Sequence, residues 1–172
     1  MPDLQIRKLD VSEFEKFRDL RIKALLDSPT AFSQFYEKYD DETDAKWRKW
    51  LEASVTEEKS VMLFALEEDN AVGMAGAIFD DNPKTMHVAE LFGVFVDKDY
   101  RSKGISSTLM QSLFDKLIER GGITKIKLAV NNEQKAAINL YSKFGFKKVG
   151  QLSKELKVEG KYYDLDVMEY FF

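Results

Sequence analysis

The sequence predicts an α/β fold: a central mixed, mostly antiparallel twisted sheet with helices on both faces, for three reasons. Apolar segments follow one another between residues 60 and 96 with only short polar turns between them, which favours an antiparallel meander. Further on, a helical pattern separates two strand patterns, and a strand–helix–strand unit makes its strands parallel. Amphipathic helical patterns before and after the meander supply the covering layers.

Length and composition predict one folded domain over residues 1–172, because 44% of the residues are hydrophobic and 33% are charged. The absence of cysteine excludes disulfides, zinc–thiolate sites and a cysteine nucleophile. A net charge of −4 gives no general attraction to nucleic acid, which binds basic surfaces. No apolar run approaches the roughly 20 residues that span a bilayer, and no secretory signal pattern opens the chain. We therefore expect a cytoplasmic protein that binds neither nucleic acid nor membranes.

The first quarter of the chain predicts a short strand, LQIRKL, followed by helices. Asp10 and Glu13 have the spacing of a capping box, which marks the start of the first helix. Pro29 disfavours helical geometry at the residue before it, so this helix should end there. A short second helix is expected after Thr30. Thr43 is then placed to cap another helix, whose two tryptophans we assign to the core.

The middle of the chain predicts three consecutive strands. The segment SVMLFALEEDNAVGMAGAIF has the pattern of a hairpin in which the polar EEDN forms the turn. After a second turn at DDNPK, the segment TMHVAELFGVFV supplies the third strand.

The last third predicts helix, strand, helix and two terminal strands. Gly121 and Gly122 should end the first of these helices, and Gly145 the second, with the strand TKIKLAV between them. The segments FKKVGQL and KYYDLDVMEYFF follow as strands. The first helix has a helically spaced apolar stripe made of Ile105, Leu109, Met110, Leu113, Phe114, Leu117 and Ile118.

The segment RSKGIS, directly before that stripe, has the features of an anion site at a helix N-terminus. Such a terminus presents backbone N–H groups without intrahelical partners. Gly104 permits close approach of the backbone to a ligand, and Arg101 and Lys103 add positive charge. The segment is neither a Walker A loop nor a three-glycine dinucleotide motif. Taken alone, it is better explained as a plain helix start with exposed basic residues.

Two separated segments resemble motifs of the GNAT superfamily, the acyl-coenzyme A-dependent N-acyltransferases. DKDYRSKGIS is similar to the family's [RQ]-x-x-G-x-[GA] pyrophosphate loop, and AINLYSKFGF to its A-x-x-L-Y-x-K-x-G-F segment. The two blocks lie within residues 89–146, and the order of predicted elements extends the likeness over nearly the whole chain. The resemblance implies a sheet that is split between its fourth and fifth strands, with acetyl-CoA bound in the V-shaped opening as co-substrate.

The resemblance also implies a set of cofactor-binding residues. Gly93 fits the bulge of the fourth strand, which would free backbone groups for the pantetheine arm. Ser106 departs from the family's Gly or Ala, and Gln134 from its usual Asn, so that Asn131 and Asn132 compete with Gln134 for that contact. The expected cofactor-binding residues are Val94, Phe95, Val96, Arg101, Ser102, Lys103, Gly104, Ile105, Ser106, Gln134 and Tyr141.

The chemistry that the resemblance implies is attack of a neutral amine on a thioester. Alkyl amines are mostly protonated at pH 7, so a base is needed. Glu90 is the candidate, since it lies in an apolar strand eleven residues before Arg101, a spacing similar to that in histone-acetylating members. The alternative is that Glu90 pairs with a neighbouring cation or faces solvent. Tyr141 matches the family's proton donor to the leaving thiolate, the alternative being an aromatic core residue.

The backbone N–H of Val94 would stabilise the oxyanion of the tetrahedral intermediate. Without cysteine, direct transfer in a ternary complex is expected, and the chemistry requires no metal. We expect the single histidine, His87, to be structural or exposed.

The acceptor is the least determined part of this prediction. An acidic cluster, described either as a solvated loop or as a negative rim for cationic substrates, favours a small cationic amine such as a polyamine or amino sugar. A peptide N-terminus or a lysine side chain remains an alternative. So do a non-catalytic acyl-CoA-binding module and an unrelated nucleotide-binding protein. The oligomeric state is open, a homodimer included. The cluster consists of Glu37, Asp40, Asp41, Glu42 and Asp44.

Overall fold

The computed structural model describes residues 4–32, 43–56 and 58–172, which form seven strands and four α-helices. In chain order these are β1 (Gln5–Arg7), α1 (Phe14–Asp27), α2 (Asp44–Val55), β2 (Ser60–Glu67), β3 (Asn70–Phe79), β4 (Val88–Val96), α3 (Ile105–Arg120), β5 (Lys125–Asn131), α4 (Lys135–Lys143), β6 (Lys147–Val158) and β7 (Lys161–Phe171). Short 3-10 helices at Val11–Glu13 and Lys98–Tyr100 lead into α1 and follow β4.

The strands form one sheet in the order β1-β2-β3-β4-β5-β7-β6. The β4–β5 pair is parallel and the other neighbouring pairs run antiparallel, which confirms the predicted mixed, mostly antiparallel sheet. The register of β4 with β5 covers only Val88–Glu90 against Lys125–Lys127. Beyond that point these two described strands diverge, so the split between the fourth and fifth strands is confirmed.

A bulge in β4 lies at Gly93, as predicted. Its φ of 65° is left-handed. Opposite Gly93, between Met74 and Gly76 of β3, the register of the β3–β4 pair shifts. The bulge inserts one extra residue and so changes the alternation of side chains along the strand. Leu91 therefore belongs to one core of the protein and Phe95 to the other, although residues four apart share a face in a regular strand.

Helices cover both faces of the sheet, as predicted, and each face has its own core. On one face α3 packs with the fully buried Leu109, Leu113 and Leu117, and α4 adds the buried Tyr141. On the other face α1 and α2 pack against β2 and β3 around Trp47. None of the helices in the described ranges combines the length and apolarity that crossing a membrane requires.

The predicted apolar stripe of α3 is wrong at its last position. Ile118 is 62% exposed, whereas Leu117 beside it is fully buried. Ile118 lies at the edge of the apolar stripe, in the last turn of α3 before the helix ends at Arg120. At this position the side chain no longer faces the sheet. The predicted glycine end is confirmed by Gly121, which is the C-cap and has a φ of 70°.

The capping box at the N-terminus is confirmed. The N–H of Ser12 donates to Asp10 Oδ1 at 2.8 Å, and the N–H of Asp10 donates to Glu13 Oε2 at 2.9 Å. Glu13 also pairs with Arg7 at 2.7 Å, and this hydrogen bond, outweighing partial burial, holds the pKa of the Glu13 carboxyl well below its usual value. The helix predicted after Thr30 falls largely on residues 33–42, outside the described residues.

Candidate functional site

An open cleft of about 1060 Å³ lies where β4 and β5 diverge. It is lined by the end of β4, the loop that leads into α3, the end of β5 and the inner side of α4. All but one of the predicted site residues therefore line one cleft, the exception being Lys103. The lining residues among them are Glu90, Val94, Phe95, Val96, Arg101, Ser102, Gly104, Ile105, Ser106, Gln134 and Tyr141.

The loop before α3 has the backbone geometry of an anion cradle. Ser102 and Gly104 both adopt left-handed conformations, with φ of 63° and 80°, and Gly104 is the N-cap of α3. The N–H of Thr108 donates to the carbonyl of Gly104 at 3.1 Å, so the helical ladder begins there. The N–H groups of the preceding turn have no intrahelical acceptor and can bind phosphate oxygens at the end of the cleft.

The basic side chains of this loop are engaged by the protein. Arg101 donates from Nε to the Val96 carbonyl at 3.0 Å and pairs through Nη2 with Asp27 at the end of α1. Lys103 lies 3.9 Å from a carboxylate oxygen of Glu67 and does not line the cleft. Burial raises the pKa of Asp27, but hydrogen bonds from Arg101 and Ser28 outweigh it, so the pKa of Asp27 is lowered. The loop is therefore fastened to β4 and α1 by its arginine.

A second ion pair joins α1 to the same loop. Lys23 Nζ lies 2.8 Å from Oδ2 of Asp97, which is buried and caps the 3-10 helix after β4. Lys23 and Asp27 lie four residues apart on α1, and Asp97 and Arg101 are also four apart with the opposite charges. Sequence analysis missed this contact, although the two reciprocal charge pairs were a signal that could have indicated it.

Tyr141 fits both interpretations given for it. Its ring packs against Phe146 in the core, with centroids 5.9 Å apart, and the residue also lines the cleft. Burial raises the pKa of the Tyr141 hydroxyl well above its usual value. The hydroxyl is therefore protonated at pH 7, and its role as proton donor stays a prediction.

Glu90 lies at the apex of the split. It is paired in register with Lys127, the last β4–β5 pair before the strands diverge, and its carboxylate lies 3.2 Å from Lys127 Nζ. Its side chain is 52% exposed. Glu90 therefore pairs with a neighbouring cation, as one of the two alternatives expected. It also lies on the cleft wall, and its role as the base stays a prediction.

The front of the cleft, on the α1 and α2 side, is rich in aromatic side chains. Trp47 is buried as predicted, but Trp50 is partly exposed, and both line the cleft together with Phe17. The sequence pattern could not distinguish these positions, because core and cleft residues share one face of α2. Of the acidic cluster, residues 37–42 lie outside the described residues, and Asp44 pairs with Arg18 at 3.5 Å.

Comparison with known proteins gives matches over most of the chain. The family model described as Acetyltransferase (GNAT) family matches residues 22–146. N-acetyltransferase 8 of Homo sapiens is 33% identical over 98 residues, which are 56% of this chain and 43% of that protein. The L-amino acid N-acetyltransferase of Escherichia coli K12 is 28% identical over 115 residues, 67% of this chain and 70% of that protein.

The fold is also found among solved structures. A putative acetyltransferase of Salmonella typhimurium, solved with acetyl-CoA, superposes with a TM-score of 0.83 over 98% of this chain and 94% of its own. At 19% identity this likeness establishes the fold alone. The family model covers well over half of the residues, including the loop before α3 and the Tyr141 segment. The chain therefore belongs to the acetyltransferase (GNAT) family.

Proposed function

We propose that the protein is an N-acetyltransferase that transfers an acetyl group from acetyl-CoA to a primary amine by direct attack in a ternary complex. The observation that carries this proposal is that one cleft joins a helix N-terminus, the broken strand edge at Gly93 and the protonated Tyr141. An anion site, a free strand edge and a proton donor are the three groups that a coenzyme A thioester requires during acyl transfer.

Two parts of the cleft support the binding of coenzyme A. The N–H groups between Ser102 and Ser106 can bind the pyrophosphate, and the Ser106 hydroxyl adds a further hydrogen-bonding group. Beyond the bulge, Val94 and Val96 line the opening between β4 and β5, where an extended pantetheine arm can bond to backbone groups. A Cβ placed at Gly104 would meet no protein atom within 4 Å, so the space in front of the loop is open to a ligand.

The proposed reaction is a single displacement through a tetrahedral intermediate. Glu90, directly or through a water, accepts a proton from the acceptor ammonium, and the neutral nitrogen attacks the thioester carbonyl carbon. The N–H of Val94 stabilises the oxyanion. When the carbon–sulfur bond breaks, Tyr141 gives its proton to the departing thiolate. The second proton, which the nitrogen loses as it becomes an amide, returns to Tyr141 through water, and Glu90 releases its proton to solvent. The products are the N-acetylated amine and coenzyme A.

The acceptor that we propose is a small amine that carries positive charge. Glu90 is an acid on the wall of the cleft, and a carboxylate attracts a cationic acceptor. The L-amino acid acceptor in the name of the Escherichia coli relative supports a small-molecule acceptor. A peptide N-terminus is the second candidate, because another Escherichia coli relative is named as an alanine N-acetyltransferase of ribosomal protein bS18.

A non-catalytic acyl-CoA-binding module would need the anion cradle but neither Glu90 nor Tyr141. The location of both residues on the wall of the same cleft favours the enzyme.

Two measurements on the native protein test the proposal. Calorimetric titration should show binding of coenzyme A and no binding of ATP at the same concentration. Thiol release from acetyl-CoA should then be stimulated by at least one member of a panel of spermidine, glucosamine, L-phenylalanine and a peptide with an N-terminal alanine. Tight binding of coenzyme A without release stimulated by any amine would favour the binding module.

A further inference from the structure

Two amide side chains at the end of β5 and the start of α4 hold Thr30. Asn131 Nδ2 donates to the Thr30 carbonyl at 3.1 Å, and Gln134 Nε2 donates to Thr30 Oγ1 at 3.2 Å. The orientation of the Asn131 amide is determined by a second contact, because its Oδ1 accepts the N–H of Glu133 at 2.9 Å. Asn131 is 2% exposed, so its amide is held in one place.

The other end of this segment is fastened to the opposite side of the split. Asp27 pairs with Arg101, which belongs to the loop after β4, while Thr30 is bound to the end of β5 and to α4. Residues 27–30, which we call the strap, therefore bridge the two sides of the opening.

The strap continues directly into the acceptor side of the cleft. Ser28, Thr30, Ala31 and Phe32 all line the cleft. The guanidinium of Arg21 stacks over the Phe32 ring at 4.8 Å from its centroid, so Phe32 forms a wall with α1. The position of this wall depends on where the strap is held.

We propose that Asn131 and Gln134 are positioning residues that hold the strap, and through it the acceptor wall, and are not ligands of coenzyme A. This inference rests on the proposed function, since it assigns the front of the cleft to the acceptor. It differs from the role of cofactor ligand that the resemblance implies for Gln134, since the amide of Gln134, like that of Asn131, is oriented by its hydrogen bond to Thr30.

The test is a double-mutant cycle on the Thr30–Gln134 hydrogen bond. Thr30→Val removes Oγ1 with little change of shape, and Gln134→Met removes the amide while keeping the chain length. Each should raise the KM of the most active amine of the panel about fivefold, the effect of one ordinary hydrogen bond. The double variant should raise it no further than either single variant. The affinity for coenzyme A should stay within about twofold of native, since these side chains bind the strap.

Asn139→Ala is the matched control, because Asn139 is an exposed amide on the same helix α4. Its acceptor KM should be native. If Gln134→Met weakens coenzyme A binding while Thr30→Val does not, Gln134 is a cofactor ligand and the proposal is wrong.

Hydrogen exchange tests the strap even if the native protein acetylates no amine. The N–H of Ala31 bonds to the Ser28 carbonyl at 2.9 Å and reports the order of the strap. Exchange in residues 28–32 should be faster in Thr30→Val and Gln134→Met, and native in Asn139→Ala. Unchanged exchange in both variants would overturn the proposal, whatever becomes of the proposed activity.

Discussion

Gly104 provides the sharpest test of the anion cradle. Its φ of 80° is left-handed, which costs a residue with a Cβ about 1–2 kcal/mol. No protein atom lies within 4 Å of that Cβ, so Gly104→Ala carries no steric cost from the protein itself. The methyl group would, however, occupy space in front of the helix terminus. Losing one charge-assisted hydrogen bond to phosphate, worth about 1.5–3 kcal/mol, should weaken coenzyme A binding roughly 10- to 100-fold.

Gly160→Ala is the matched control for this change. Gly160 has a φ of 83°, its Cβ also meets nothing within 4 Å, and it lies in the turn between β6 and β7, away from the cleft. Both variants should lose about 1–2 kcal/mol in urea unfolding. Only Gly104→Ala should lose affinity in calorimetric titration. Native affinity in Gly104→Ala, at the same loss of stability, would refute the assignment of the loop to phosphate.

Three further predictions concern the scaffold. Glu13→Gln removes a carboxylate that Arg7 stabilises, so stability at pH 7 should fall by about 1–2 kcal/mol in urea unfolding. Because the native pKa of Glu13 is lowered, its contribution is complete only above about pH 5 and is lost as pH falls toward the native pKa. The difference in unfolding free energy between the native protein and Glu13→Gln should therefore be smaller at pH 3 than at pH 7. Gly93→Ala should cost about 1–2 kcal/mol by the same measurement, since the flexible end of Met62, 3.1 Å from the new Cβ, can move aside. Leu109→Ala should cost about 2–5 kcal/mol and lower Tm, because Leu109 is fully buried and leaves a cavity.

Local sequence signals predicted much of this fold because they act over a few residues. The capping box of Asp10 and Glu13 and the EEDN turn depend on neighbours in the chain, and both occur where predicted. The split of the sheet followed from the family resemblance. The bulge also followed from the resemblance, and Gly93 located it, because glycine tolerates the left-handed geometry found there.

The tertiary contacts of the site were beyond local signals. A helical stripe shows which side of α3 is apolar, but not where the sheet beneath it ends, so Ile118 was placed in the core and is exposed. Arg101, in the loop before α3, was expected to bring charge to a ligand, and only the fold reveals that it pairs with Asp27. The contacts of Thr30 with Asn131 and Gln134 join residues about a hundred positions apart, which no local pattern predicts.

The proposed reaction requires Glu90 and Tyr141 to move protons in one cleft. The most direct measurement is kcat for thiol release from acetyl-CoA with the most active amine, in Glu90→Gln and Tyr141→Phe. Each should lower kcat by roughly 100-fold, the usual contribution of a general acid or base, and leave coenzyme A affinity near native. Native kcat is expected for two controls, Glu169→Gln and Tyr170→Phe. Glu169 pairs with Lys125, and the Tyr170 ring packs against Phe146. Native kcat in both Glu90→Gln and Tyr141→Phe would contradict the proposed proton transfers.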